Sequence, residues 1–165
     1  MVDRTRMGVQ LVLHEGIRLK PYRDTVNKLT IGVGYNVQDR GLADMERILG
    51  RRVILAQGIT ESEALKVLDA DIRSYENAVI KAFPQYVHLD EVRQRVVLDM
   101  AFNMGYRALS FKNTIRCVIL AEYDKAADNM MLSKWADDVG DGPGKQFDRA
   151  ERLSLMMRTG EDYLK

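Results

Sequence analysis

The chain has 165 residues, enough for one well-buried domain or for two small lobes that share a core. Its 46% hydrophobic and 30% charged residues fit an ordinary globular chain, and no stretch nears the roughly 18 consecutive apolar residues that a membrane helix needs. A net charge of +1 argues against bulk electrostatic attachment to nucleic acid, and a lone cysteine, Cys117, excludes an internal disulfide framework.

The opening Met-Val-Asp-Arg-Thr-Arg carries charge but no apolar segment after it, so no signal peptide is expected and synthesis should end in a cytoplasm. A first helix is predicted from about Arg4 to His14, stopping at Gly16, a residue suited to the left-handed cap. The period then changes. Leu29, Ile31, Val33 and Tyr35 alternate with Thr30, Gly32 and Gly34, which predicts a strand with one apolar face and one face left open by the two glycines. Asn27 suits a tight turn, so this strand should form a hairpin with the segment around Tyr22. Within residues 1–36, six basic side chains (Arg4, Arg6, Arg18, Lys20, Arg23, Lys28) outnumber three acidic ones (Asp3, Glu15, Asp24), a bias that would favour an anionic polymer such as a cell wall.

Between 37 and 58 the pattern is weaker: Asp44 to Gly50 reads as a short helix, and Arg51 to Ala56 as a strand or a continuation of that helix. Thr60 with Glu63 is a capping box, and Leu65, Leu68, Ile72, Tyr75, Val79 and Phe83 follow at helical spacing, predicting an amphipathic connecting helix that ends at Pro84. From Asp90 to Gly105, Val92, Val96, Met100 and Met104 form one stripe, with Leu98 and Phe102 outside it. That helix should be apolar on more than one side and central to its lobe. Helices near Lys112–Leu120, Asp124–Ser133 and Lys145–Met157 complete the chain, with a loop from Asp137 to Gly144. Cys117, among Ile115, Val118 and Ile119, is expected to be a buried, inert thiol.

Three side chains carry a possible chemistry. Hydrolysis of a glycosidic bond needs a proton donor for the leaving oxygen and a second carboxylate that attacks the sugar or activates a water. Glu15, between a helix end and a hairpin, could occupy an enclosed site suited to the donor, while Asp24, beside Arg23 and Thr25 at a turn, would stay charged. Thr30 could hold the attacking water. Taken alone the pair is weak, because 24 acidic residues offer many pairs nine apart.

The run Glu15-Gly16-Ile17-Arg18-Leu19-Lys20-Pro21-Tyr22-Arg23-Asp24-Thr25, continued by Leu29-Thr30-Ile31-Gly32-Val33-Gly34, resembles the phage-type lysozymes of glycoside hydrolase family 24, in their T-even bacteriophage branch. Further landmarks agree: the capping box at Thr60, Ala101-Phe102-Asn103-Met104-Gly105, Tyr123-Asp124-Lys125-Ala126-Ala127, Ser133-Lys134-Trp135 and Arg158-Thr159-Gly160. The resemblance implies an α+β, mostly helical lysozyme-like fold over residues 1–165. A small β-hairpin lobe (about 15–60) and a larger helical lobe (about 84–165 with 1–14) would be joined by a long helix (61–83).

It also implies an endolysin or muramidase that hydrolyses the β-1,4 bond between N-acetylmuramic acid and N-acetylglucosamine in peptidoglycan, with inversion. Glu15 would be the general acid, Asp24 would activate the water and Thr30 would help hold it. Asn36, Phe102, Thr114 and Asn129 fall at sugar-binding positions, although Asn36 replaces a leucine of the T-even type. Arg149 matches an arginine that orients the catalytic glutamate. Tyr35 stands where the T-even type has a histidine, so stability should depend less on pH in the neutral range.

The expected partner is therefore a peptidoglycan glycan strand, acted on by a monomer that needs no nucleic acid, membrane insertion, metal or other cofactor. His14 and His88 are read as surface or satisfied residues. Reaching the wall in the periplasm would require a separate pore through the membrane. The alternative is a catalytically inactive wall-binding or tail-associated protein with the same fold. A nucleotide site at Gly32-Val33-Gly34 fails for want of a third glycine and a βαβ setting.

Overall fold

The computed structural model describes residues 1–105, 111–139 and 148–163. The fold is mostly helical with a small antiparallel sheet near the N-terminus, as expected of an α+β lysozyme fold. The chain divides into two compact units, residues 4–74 and residues 1–3 with 75–165.

In the first unit, helix α1 (Arg4–Glu15) buries Met7, Gln10 and Leu11, the i, i+3, i+4 face of one stripe. It ends where Gly16 takes φ +71 and its N–H reaches the Val12 carbonyl at 2.9 Å, a left-handed stop that suits glycine. Strands β1 (Arg18–Arg23), β2 (Leu29–Gly32) and β3 (Tyr35–Asn36) form an antiparallel sheet in chain order. The expected single strand from Leu29 to Tyr35 is in fact two. Gly32 and Gly34 have φ +69 and +68, so the chain turns back and Ile31 pairs with Tyr35. Nor is the glycine face open. Thr30 is 2% exposed, and a Cβ on Gly32 would lie 3.5 Å from Ile59 and 3.7 Å from Ala64.

Between Arg18 and Tyr22 the ladder with β2 shifts register, and the displaced segment docks on the chain near residue 58. The Ile59 N–H donates to the Leu19 carbonyl (2.9 Å), and Lys20 Nζ donates to the Gln57 carbonyl (2.8 Å). Helix α2 (Val37–Arg40) is capped by Asn36, and α3 (Ala43–Leu49) ends at left-handed Gly50, as the sequence suggested. Residues 51–54 are neither strand nor helix, and Leu55–Gln57 is a single 3-10 turn. Ile31, Tyr35, Val37, Met45, Val53, Ile59, Ala64 and Val67 make the core of this unit.

Helix α4 (Glu61–Ala82) begins with the predicted box: Thr60 Oγ1 accepts from Glu63 N–H at 3.2 Å, and Glu63 Oε2 accepts from Thr60 N–H at 2.9 Å. Its buried row passes through Ala64, Val67, Leu68 and Ile72, which leaves Leu65 42% exposed. Leu65 lies about 100° round the helix from the small Ala64, whose methyl takes the inward position.

In the second unit, α5 (Glu91–Met104) is capped by Asp90, and every residue from Gln94 to Ala101 is buried. A helix enclosed on all sides is what its two apolar faces predicted. Helices α6 (Lys112–Ile119), α7 (Tyr123–Met131), α8 (Lys134–Val139) and α9 (Arg149–Thr159) follow it, with α7 packed on α6 and α9, and both α5 and α8 on α9. Helix α8 takes in Asp137–Val139, where a loop was expected; the remainder of that loop and the expected start of the last helix at Lys145 lie outside the described residues. Asp148 and Glu151 form a capping box that starts α9 at Arg149. Arg93 closes its other end, with Nε and Nη2 donating to the Met157 and Arg158 carbonyls at 2.8 and 3.0 Å while the guanidinium lies over the Tyr123 ring. Cys117 is half-buried rather than buried and accepts from Asn129 Nδ2 at 3.5 Å.

Candidate active site

Sixteen consecutive residues carry the predicted chemistry, and they all lie within the first unit. Glu15 is the last residue of α1 and is half-buried. Three residues later the chain enters β1, and Asp24 follows directly after that strand. The turn that returns the chain to β2 is built on Asp24 itself. Its N–H donates to the Lys28 carbonyl (3.0 Å), and its carbonyl accepts from Asn27 N–H (2.9 Å), with Asn27 at φ +63. Its Oδ1 accepts from the N–H groups of Val26 (3.0 Å) and Lys28 (2.8 Å), an Asx-type closure. Oδ2 takes no part in that closure and lies 3.4 Å from Thr30 Oγ1. Thr30 Oγ1 also lies 3.1 Å from the Lys28 carbonyl. A hydroxyl has one proton to give. Donated to the nearer carbonyl, it leaves the Thr30 oxygen lone pairs and Asp24 Oδ2 together as acceptors.

Tyr22, which the sequence marked as part of the motif and as the centre of the expected hairpin's first arm but not as a site residue, belongs to the same group. It pairs directly with Thr30 across the β1–β2 ladder, so the two side chains share one face of the sheet. The Arg18 guanidinium lies 4.6 Å from its ring centroid. Burial raises the Tyr22 pKa above that of an ordinary phenol; Arg18 opposes the rise, and the charges of both Glu15 and Asp24 add to it. The phenol thus lies within electrostatic reach of both carboxylates.

Asn36, the remaining candidate in this unit, spends its side chain on a helix cap. Its Oδ1 accepts from Asp39 N–H (2.9 Å), and Nδ2 donates to Asp39 Oδ2 (3.0 Å). Asp39 also pairs with Lys28, next to the turn built on Asp24.

The other candidates lie in the second unit. Phe102 is half-buried and packs on Tyr75, ring centroids 5.3 Å apart. Thr114 is buried on α6, beside a small apolar cavity lined also by Val79, Val97, Met100 and Val118. Asn129 is half-buried and bonded to Cys117. Arg149 is buried against Asp99, a fully buried carboxylate that no sequence pattern had singled out. Its signal was faint: one acidic residue inside the enclosed run of α5. Among the described residues, no group of three or more His, Cys, Asp or Glu side chains is arranged to hold a metal, and no helix is long and apolar enough to cross a membrane.

Comparison with known proteins gives a match of residues 12–151 to the family model described as phage lysozyme. The chain is 28% identical to the pre-baseplate central spike protein Gp5 of Enterobacteria phage T4, over 93% of this chain but only 28% of that protein's length. It is 29% identical to probable T4-type lysozyme 1 of Dictyostelium discoideum, over 88% of this chain and 89% of the relative. It is 30% identical to the endolysin of Salmonella phage P22, over 88% and 93%.

Proposed function

The chain belongs to the phage lysozyme family, and from that premise we propose that it is a muramidase cutting the β-1,4 bond between N-acetylmuramic acid and N-acetylglucosamine in peptidoglycan. Glu15 protonates the leaving oxygen. Asp24 removes a proton from the attacking water, and Thr30 holds that water beside it. In the inverting form of this chemistry the water enters from the face opposite the leaving group, which needs the two carboxyls roughly 6.5–9.5 Å apart. Asn36, Phe102, Thr114 and Asn129 are proposed to contact sugars, and Arg149 to orient the acid.

The observation that carries this reading is the division of labour at Asp24. One carboxylate oxygen is fixed by two backbone N–H groups, and the other lies beside the Thr30 hydroxyl with no turn bond to make. A base built this way is held in place by its own turn and still presents a free lone pair, which is the preorganisation that water activation requires.

Mass spectrometry of digested peptidoglycan tests the proposal. New reducing muramic acid ends are expected. Anhydro-muramic ends would instead mean a transglycosylase, and an intact polymer a wall-binding protein. Glu15→Gln should abolish cleavage while leaving cooperative unfolding in place.

In this reading the protein acts on the cell wall after passing a separate membrane pore, as a monomer that releases phage from the host. A second reading, in which the domain serves a phage tail, is favoured by its likeness to the T4 spike protein. Detection of the chain in purified virions by mass spectrometry, and its retention there after washing in high salt, would decide for the second.

A further inference from the structure

We infer that Tyr22 is an additional substrate-contacting residue of this site, whose hydroxyl donates a hydrogen bond to an oxygen of the N-acetylhexosamine unit at the bond being cut. The inference rests on the muramidase reading above. Three observations meet on this side chain. Its ring orientation is constrained twice, by direct cross-strand pairing with Thr30 and by the Arg18 guanidinium 4.6 Å from the ring centroid. It lies on the sheet face that carries the Thr30 hydroxyl and, through it, Asp24 Oδ2. Among the described residues no protein group hydrogen-bonds its hydroxyl, although the residue is half-buried.

A half-buried phenol normally finds a partner for its O–H. Asp24 Oδ1, an acceptor within electrostatic reach of the phenol, is already engaged by the Val26 and Lys28 N–H groups of its turn. Burial and the two carboxylates keep the phenol protonated, so it acts as a donor. An N-acetylated sugar presents hydroxyl and acetamide oxygens that accept such a bond. A contact placed at the reacting ring strengthens as the ring flattens toward the transition state, so its loss should fall on kcat rather than KM.

The test compares wild type, Tyr22→Phe and Arg18→Met on soluble glycan oligomers, measuring kcat, KM, the pH–rate profile and the melting temperature. Tyr22→Phe should lower kcat at least tenfold with KM within twofold, an unmoved pH profile and unchanged melting. Arg18→Met should cost two- to fivefold in kcat by freeing the ring, and it carries the test if Tyr22→Phe fails to fold. Full kcat in the variants would overturn the inference. So would a rate loss accompanied by displaced pH limbs, which would mean that Tyr22 acts only through the carboxylates. Absence of cleavage by the wild type would instead overturn the muramidase reading, and this inference with it.

Discussion

Asp99 and Arg149 meet in the interior of the second unit, where Nε and Nη2 of the arginine both donate to Asp99 Oδ1, at 3.0 and 2.7 Å. Both residues are buried, Asp99 completely. Removing one member of such a pair leaves a desolvated charge, which typically costs about 3–5 kcal/mol. Asp99→Ala should therefore lower stability by about that much in denaturant titrations. Asp99→Asn, which keeps an acceptor, should cost about 1–3 kcal/mol. Equal effects of the two variants would show that charge plays no part.

At acid pH the capping box of α4 should weaken. The Arg51 guanidinium, bonded to Glu63 at 2.5 and 2.7 Å, is the main cause that holds the Glu63 pKa down at about 2; the Thr60 N–H adds to it. A carboxyl whose folded pKa lies below its unfolded value, near 4.3, stabilises the fold above that value and loses the contribution as pH falls toward 2. The stability difference between wild type and Glu63→Gln, followed by thermal melts, should be constant above pH 5 and shrink between pH 4.5 and 2. A difference independent of pH would rule out this linkage.

The first unit holds an arginine–aspartate pair with no histidine in it. Arg40 binds Asp71 through two bonds of 2.8 and 2.7 Å, and its guanidinium also lies 4.0 Å from the Tyr35 ring centroid. Arginine keeps its charge far above pH 8. Arg40→His should introduce a decline in stability between pH 6 and 8 that the wild type lacks, seen as a melting temperature that falls as pH rises. A flat profile in the variant would mean that the histidine does not reach Asp71.

Gly58 locks the bulged part of β1. It has φ +74, and a Cβ there would lie 2.3 Å from the Leu19 carbonyl oxygen. At φ +74 and ψ −162 the backbone of Gly58 lies in a region that is essentially glycine's alone, so Gly58→Ala adds a strain of about 1–3 kcal/mol to a clash that backbone movement must relieve. The expected loss is about 2–4 kcal/mol, or about 4–16 °C in melting temperature for a chain of this size. A smaller shift would show that the loop yields cheaply.

The helical frame was legible because its signals are local. Gly16 and Gly50 stop helices, and Thr60 with Glu63 starts one, through bonds within four residues. The enclosed α5 could be read because apolar residues on two faces need neighbours on both. What escaped was non-local or conformational. Alternation from Leu29 to Tyr35 is equally satisfied by one strand or by two with a turn, and only the positive φ of Gly32 and Gly34 decides. Leu65 fits the helical spacing of the apolar row, yet the smaller Ala64 takes the inward place. At the site, the resemblance of the motif singled out Glu15, Asp24 and Thr30 as candidates and the turn at Asn27 gave the hairpin, but no pattern could show Asp24 dividing its oxygens, the register of Tyr22 on Thr30, or Asn36 capping α2.

The turn bonds of Asp24, taken with the role proposed for its second oxygen, have an evolutionary corollary. An aspartate that both closes a turn and works on water can be retired in one step without cost to the architecture, because asparagine offers the same Oδ1 acceptor to Val26 and Lys28. Descendants that kept only the scaffold should therefore collect asparagine at this position far more readily than alanine or leucine. A single letter at position 24 would then distinguish a working hydrolase from a fossil that still folds.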